Sequence, residues 1–212
     1  MEVDFLRENW QSLLWQLDSQ TDDNRQFFEK LILEYSSFER HYHNLAHVQQ
    51  LLKTVEEVKQ NTNNYTAILL AVWFHDYVYD PQFKDNEIES ARYAVKFLGQ
   101  LNIAENLIGL VEKFILSTQQ HQLLIDDWDC MTFIDADLSI LGASTEKYWQ
   151  YAFDIRREYK HLGDRDYCQG RAKVLKNFLS RNRIYYTDYF HHKLEERARA
   201  NIKMEIKSYL LV

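Results

Sequence analysis

The sequence is poor in the residues that bend a chain. Five glycines and one proline among 212 residues leave little material for the tight turns that join β-strands. Cysteine is scarce too. Cys130 and Cys168 form no CxxC pair, which argues against a disulfide scaffold and fits a reduced, cytoplasmic protein. The longest apolar run, Ala67 to Phe74, falls far short of the ~20 residues a membrane helix requires. The N-terminus, MEVDFLRENWQ, lacks the basic-then-apolar order of a signal peptide. Positive charge is in deficit, with 25 Lys and Arg against 32 Asp and Glu and a net charge of −7. That argues against sequence-independent binding of a nucleic-acid polymer, which needs many cations facing phosphates. A single nucleotide in a local basic pocket remains compatible with it.

Hydrophobic residues make up 46% of the chain and aromatics 15%, enough for a substantial core rich in rings. Apolar residues recur at helical spacing, and the pattern predicts helices near 2–18, 23–36, 44–60, 64–80, 86–100, 103–120, 128–141, 144–161, 165–181 and 187–210. The fold class is all-α, about ten helices in one compact domain over 1–212. Asn61 to Asn64 is a polar turn that can cap the next helix. Pro81 is expected to stop a helix at Asp80, and Gly142 and Gly163 to take the left-handed conformation just past helix ends. The first helix, with Phe5, Leu6, Trp10, Leu13, Leu14 and Leu17, is expected to pack on its own core, a homodimer being the alternative.

Chemistry shows where polar residues interrupt apolar ones. The run AILLAVWF, residues 67–74, is apolar on every face and so belongs in the interior. It leads directly into His75-Asp76, a pair that is costly to bury unless hydrogen-bonded or bound to a metal. A second cluster, His41-Tyr42-His43-Asn44-Leu45-Ala46-His47, opens a helix that continues through Leu51, Leu52, Val55 and Val58. His43 and His47 are four apart and can share a face; on the wheel His47 lies at the edge of the apolar stripe and His43 further out. A third segment, FIDADLSIL, carries Asp135 and Asp137, which point roughly 200° apart on a helix. Ile134, Leu138, Ile140 and Leu141 define the buried side. Asp137 falls within it and Asp135 near its polar boundary. Two imidazoles and two carboxylates on separate buried helices suit a divalent ion, with Mn, Fe, Co, Ni, Zn or Mg as candidates.

In their order and helical setting, His47, His75-Asp76 and Asp137 resemble the H…HD…D pattern of the HD superfamily. The strings RHYHNLAHV, WFHDYVYD, DNEIESA, IDADLSILGA and IRREY are similar to a branch of that superfamily regarded as phosphohydrolases, and the likeness runs from Arg40 over most of the chain. It implies an HD-type helical bundle, with the helices of 1–38 and 144–212 packed around a metal-site core of 40–142.

The resemblance implies one divalent metal, held by His47, His75, Asp76 and Asp137, and hydrolysis of a phosphate ester or anhydride in a small phosphorylated metabolite, with a nucleotide the leading class. Asp76 would ligate the metal and orient water, with Glu87 or Asp80 moving the proton. His43 and His121 are further ligands if a second ion is held. Arg40, Arg156 and Arg171 are the phosphate-binding candidates. Alarmone hydrolases of the superfamily carry Glu-Asp shortly after HD, whereas this chain has Tyr79-Asp80. A non-catalytic metal and nucleotide sensor is therefore an alternative, and an alarmone hydrolase or di-iron oxygenase a weaker one.

Overall fold

Residues 67–74 run to the C-terminal end of a helix and are buried on every side, as their uniform apolarity predicts. A computed structural model describes residues 2–19, 22–101 and 103–209. These form ten α-helices, with no strand among the described residues. Leu210, the expected end of the last helix, lies outside them, as do Met1 and Val212, the ends of the expected domain. The chain divides into two compact units, Met1–Ile134 and Asp135–Val212.

The first unit contains α1 (Glu2–Gln16), α2 (Asp22–Tyr35), α3 (Leu45–Val58), α4 (Tyr65–Phe74), α5 (Asn86–Gln100) and α6 (Glu105–Ser117). Helix α7 (Trp128–Asp137) begins in it and ends in the second. Around α4 pack α3, α5 and α6. The core is aromatic, as composition suggests: Trp10 meets the edge of Trp73 at 5.4 Å between centroids, and Phe27 stacks on Phe97. Each such ring, fully buried, contributes about 1.5–3 kcal/mol from water exclusion. Leu6, Trp10, Leu13 and Leu14 are all buried, so the apolar face of α1 lies on its own core.

Both ends of α4 are set by polar side chains from elsewhere in the unit. At its start, Asn64 Oδ1 accepts from the Ala67 N–H, while the buried Asp129 carboxylate accepts from the backbone N–H groups of Asn63 and Asn64 at 2.9 and 2.6 Å. A carboxylate there also opposes the positive end of the helix dipole. At its other end α4 stops at Phe74, six residues before the expected Asp80. Pro81 is not the cause. Arg40 donates to the carbonyls of Asp76 and Tyr77, Ser90 bonds both backbone groups of Val78, and Asn86 brackets both those of Asp80. With those backbone groups satisfied outside a helix, there is no requirement to continue it.

The second unit holds a short 3₁₀ turn (Leu138–Gly142), α8 (Thr145–Glu158), α9 (Asp164–Ser180) and α10 (Asp188–Ser208). Helix α7 thus gives way to the tighter turn after Asp137, short of the expected 141. Gly142 does not adopt positive φ. It is required instead by close approach, since an added Cβ would sit 2.6 Å from Leu194 Cβ and 2.9 Å from its carbonyl oxygen. Gly163 is extended, with φ −62° and ψ 155°, and precedes α9 rather than closing a helix.

Candidate metal centre

The two termini of the helices beside this core bring the histidines together. Helix α3 begins at Leu45, with Asn44 Oδ1 accepting from the N–H groups of Ala46 and His47. His47 therefore sits in the first turn, buried. His75 is the residue that caps α4 and is 2% exposed. Their Nε2 atoms lie 3.2 Å apart. Asp76 Oδ2 is 3.0 Å from His75 Nε2 and 3.7 Å from His47 Nε2.

The far side of the His75 ring decides what those atoms can do. His75 Nδ1 lies 3.0 Å from the Val72 carbonyl oxygen, which can only accept, so Nδ1 carries the proton. The neutral ring then presents a lone pair on Nε2 toward the His47 nitrogen and the Asp76 carboxylate. Electron-rich atoms so close in a buried place need a cation or a proton between them. An ion bound at ~2.1 Å from each ligand would separate neighbouring ligands by about 3.0–3.4 Å, near the distances seen. Phe133 closes one wall, edge-on to His75 at 5.7 Å, and Tyr42 lies 4.8 Å from the His47 ring. Burial pushes the Asp76 carboxyl up. Against this, when the rings are protonated, positive charge on His75, His43 and His47 and a hydrogen bond from His75 outweigh burial and hold Asp76 well below the usual carboxylate range. The neutral rings and the protonated ones are the two ways of relieving the same crowding.

The remaining expected residues take varied positions. His43 precedes α3, so it does not share a helical face with His47; its ring stacks on Tyr79 at 4.3 Å and lies 6.0 Å from the His47 ring. His121 lies in the turn past α6, left-handed at φ 48°, with its N–H donated to the Thr118 carbonyl. Glu87 opens α5 and is half-buried. Burial raises its pKa and the Asp76 charge adds to this, against its own backbone hydrogen bond and the charges of His121 and His43. Asp80 is occupied locally, its Oδ1 accepting from the Gln82 N–H at 2.8 Å.

Arg40 is 7% exposed, its guanidinium donating to the carbonyls of His43, Asp76 and Tyr77. It thereby fixes the backbone on both sides of the histidine pair. The other two arginines lie in the second unit. Arg156 donates to the carbonyls of Tyr159 and Leu162 and to Asp164, and Arg171 pairs with the fully buried Glu205 at 2.9 Å.

Asp137 is the last residue of α7 and half-buried. The wheel is corrected on its neighbour. Asp135 is completely buried rather than at a polar boundary, where its carboxylate accepts from the N–H groups of Tyr186 and Thr187 and from the Thr187 hydroxyl, all within 2.8 Å. A wheel drawn through Leu141 mixes α and 3₁₀ pitches, and this misplaces the boundary. Two buried acids that sequence reasoning passed over, Glu195 and Glu205, lie on α10. Glu205 carried a readable signal, since it continues the stripe of Leu194, Ala198 and Ile202.

Among the described residues no helix is long and apolar enough to cross a membrane. The chain matches no known protein family, no curated protein and no solved structure.

Proposed function

We propose that this chain is a metal-dependent phosphohydrolase of the HD type, acting on a small phosphorylated metabolite, with nucleotides the first class to test. The observation that carries the reading is the meeting of His47 Nε2, His75 Nε2 and Asp76 Oδ2 within 3.7 Å, with His75 Nδ1 held by a carbonyl. Outer partners of this kind orient metal-binding imidazoles and fix their tautomer. Asp137, the last member of the H…HD…D pattern that the sequence resembles, is the proposed fourth ligand. Mixed nitrogen and oxygen donors suit a divalent transition ion. Such an ion supplies Lewis acidity to a phosphoryl oxygen.

In this reading the protein's own groups divide the remaining work. Asp76, kept ionised by its neighbours, binds and orients. Glu87 is the proton-transfer group, because its carboxyl feels the charges of Asp76, His121 and His43 whereas Asp80 is taken up by its turn. One ion per chain is favoured, since His43 stands outside α3 with its ring against Tyr79. Two free cysteines support a cytoplasmic setting.

The test is a hydrolysis screen of metal-stripped protein with Mn, Co, Ni, Mg, Fe or Zn restored, over nucleoside mono-, di- and triphosphates and a generic phosphodiester. Product that needs the ion and vanishes in His75→Ala supports the proposal. Stoichiometric ion and tight nucleotide binding without product in any combination favours the sensor reading instead. Failure to bind any ion overturns both.

A further inference from the structure

We propose that a cavity beside Arg40, separate from the histidine pair, binds a small oxyanion of the phosphate class. It has a volume of about 310 Å³ and is lined by Ser36, Ser37, Arg40, Asn44, Leu45 and Ala46 among others. None of the proposed metal ligands lines it, and the inference does not rest on hydrolysis.

The reason is an uncompensated charge. A guanidinium remains protonated at any ordinary pH and carries five N–H groups. Arg40 is more than nine-tenths buried, yet its three hydrogen bonds all go to neutral carbonyls, those of His43, Asp76 and Tyr77. The Tyr35 and Tyr79 rings it packs over at 5.0 and 5.5 Å offer a π-face but no counter-charge. Two N–H groups remain uncommitted, and among the described residues no carboxylate forms an ion pair with Arg40. Contrast Arg171, buried to a similar degree, which is paired with Glu205. A buried cation lacking a counter-charge is costly, and an anion in the adjoining cavity removes that cost.

The rest of the lining suits the same ligand. Ser36 and Ser37 are exposed and offer hydroxyl donors. The fourteen-residue α3 points its N-terminus here with no acidic side chain in its first turn. Asn44 Oδ1 takes the N–H groups of Ala46 and His47, which leaves that of Leu45 for a ligand. Planar guanidinium donors, hydroxyls and a helix N-terminus together recognise a tetrahedral oxyanion better than a planar or neutral group. The anion is either free phosphate or the phosphate of a larger metabolite.

The experiment is a titration of ¹⁵N-labelled full-length protein, kept in chelator so that no ion draws phosphate to the histidine pair. Inorganic phosphate and a nucleoside 5′-monophosphate are added separately, against chloride at matched ionic strength. Saturable shifts of the Ser36, Ser37, Leu45 and Ala46 amides and of Arg40 Nε–H are expected. Ser37→Asp, at an exposed position, introduces an internal counter-ion and should weaken phosphate binding at least tenfold with the fold intact. Arg40→Lys, which keeps the charge, should retain part of the binding that Arg40→Met loses. Similar affinities for the two probes assign the site to free phosphate; a tenfold preference for the nucleotide assigns it to a larger metabolite. Shifts that do not saturate, that appear only around His47 and His75, or that survive Ser37→Asp unchanged overturn the proposal. Because neither turnover nor metal is read, its failure is distinct from failure of the hydrolase reading.

Discussion

If His47, His75 and Asp76 hold an ion, metal should stabilise the fold by an amount fixed by mass action. An ion at one hundred times its dissociation constant contributes about 2.7 kcal/mol. For a chain of this size each kcal/mol moves the melting temperature by roughly 2–4 °C, so saturating ion should raise it by about 5–11 °C. The perturbation is removal of the ion by chelator followed by titration of Mn, Co, Ni or Zn, and the assay is calorimetric melting. His75→Ala, which deletes the central nitrogen of the cluster, should abolish most of the gain. The pH dependence has a definite sign. Ligation requires imidazole nitrogens free of their protons, so the metal-induced gain should grow as pH rises. A cluster held by a shared proton instead of an ion would bind no metal and would lose stability toward alkaline pH. A metal shift of equal size in wild type and His75→Ala, or none in either, refutes the reasoning.

Other perturbations separate the roles of nearby groups. Glu87→Gln should retain metal binding and lower the turnover number by about 10²–10⁴-fold, the usual range for a general acid or base, whereas Asp80→Asn keeps an oxygen for the Gln82 N–H and should leave rates nearly unchanged; steady-state kinetics on both variants checks this. Since burial and the Asp76 charge raise the Glu87 pKa, a basic role for Glu87 places the acid limb of the rate profile above the ordinary carboxylate range. In the second unit, burial raises the Glu205 pKa, but the Arg171 charge and hydrogen bonds from Arg171, Tyr148 and Tyr209 outweigh it and hold Glu205 below its usual value. Its stabilising contribution is therefore present above pH ~4.5 and lost as pH falls through the lowered value. Glu205→Gln should cost about 3–5 kcal/mol at pH 7 by leaving Arg171 buried and unpaired and should flatten the acid limb, as urea unfolding at several pH values will show. Gly142→Ala forces a Cβ into Leu194 and should cost about 1–3 kcal/mol, measurable in the same urea experiments.

The sequence made the helical class legible because its apolar residues keep helical spacing through long segments. It made α4 legible as a buried helix because nothing polar interrupts residues 67–74, and α5 was located to the residue. The histidine pair was legible for a related reason: His75 follows directly on the most apolar stretch of the chain, and His47 lies at the edge of the stripe that continues through Leu51 and Val55. Both are buried. What stayed hidden was the end of α4 and the place of Asp135. Each depends on a bond between residues far apart in sequence, Arg40 to Asp76 and Asp135 to Thr187, and periodicity carries no information on such pairs.

Those distant bonds answer the scarcity of turn residues from which the sequence starts. With five glycines and one proline, the chain has few means of shaping a connection through local backbone preference, so buried polar side chains shape it from outside. Asp129 clamps the turn at Asn63 and Asn64, Asn86 holds Asp80, and Arg40 gathers the carbonyls after α4. Asp135 fixes Tyr186 and Thr187, and Glu195 fixes the N–H groups of Ile184 and Tyr185. A buried carboxylate is therefore not by itself a mark of chemistry in this protein. Asp129, Asp135 and Glu195 each accept from two or more backbone N–H groups, which satisfies the carboxylate and gives it a structural purpose. His47, His75 and Asp76 differ in the property that matters: their facing atoms present lone pairs and charge to one another. For that reason the proposed metal site is sought at them rather than at the more deeply buried Asp135.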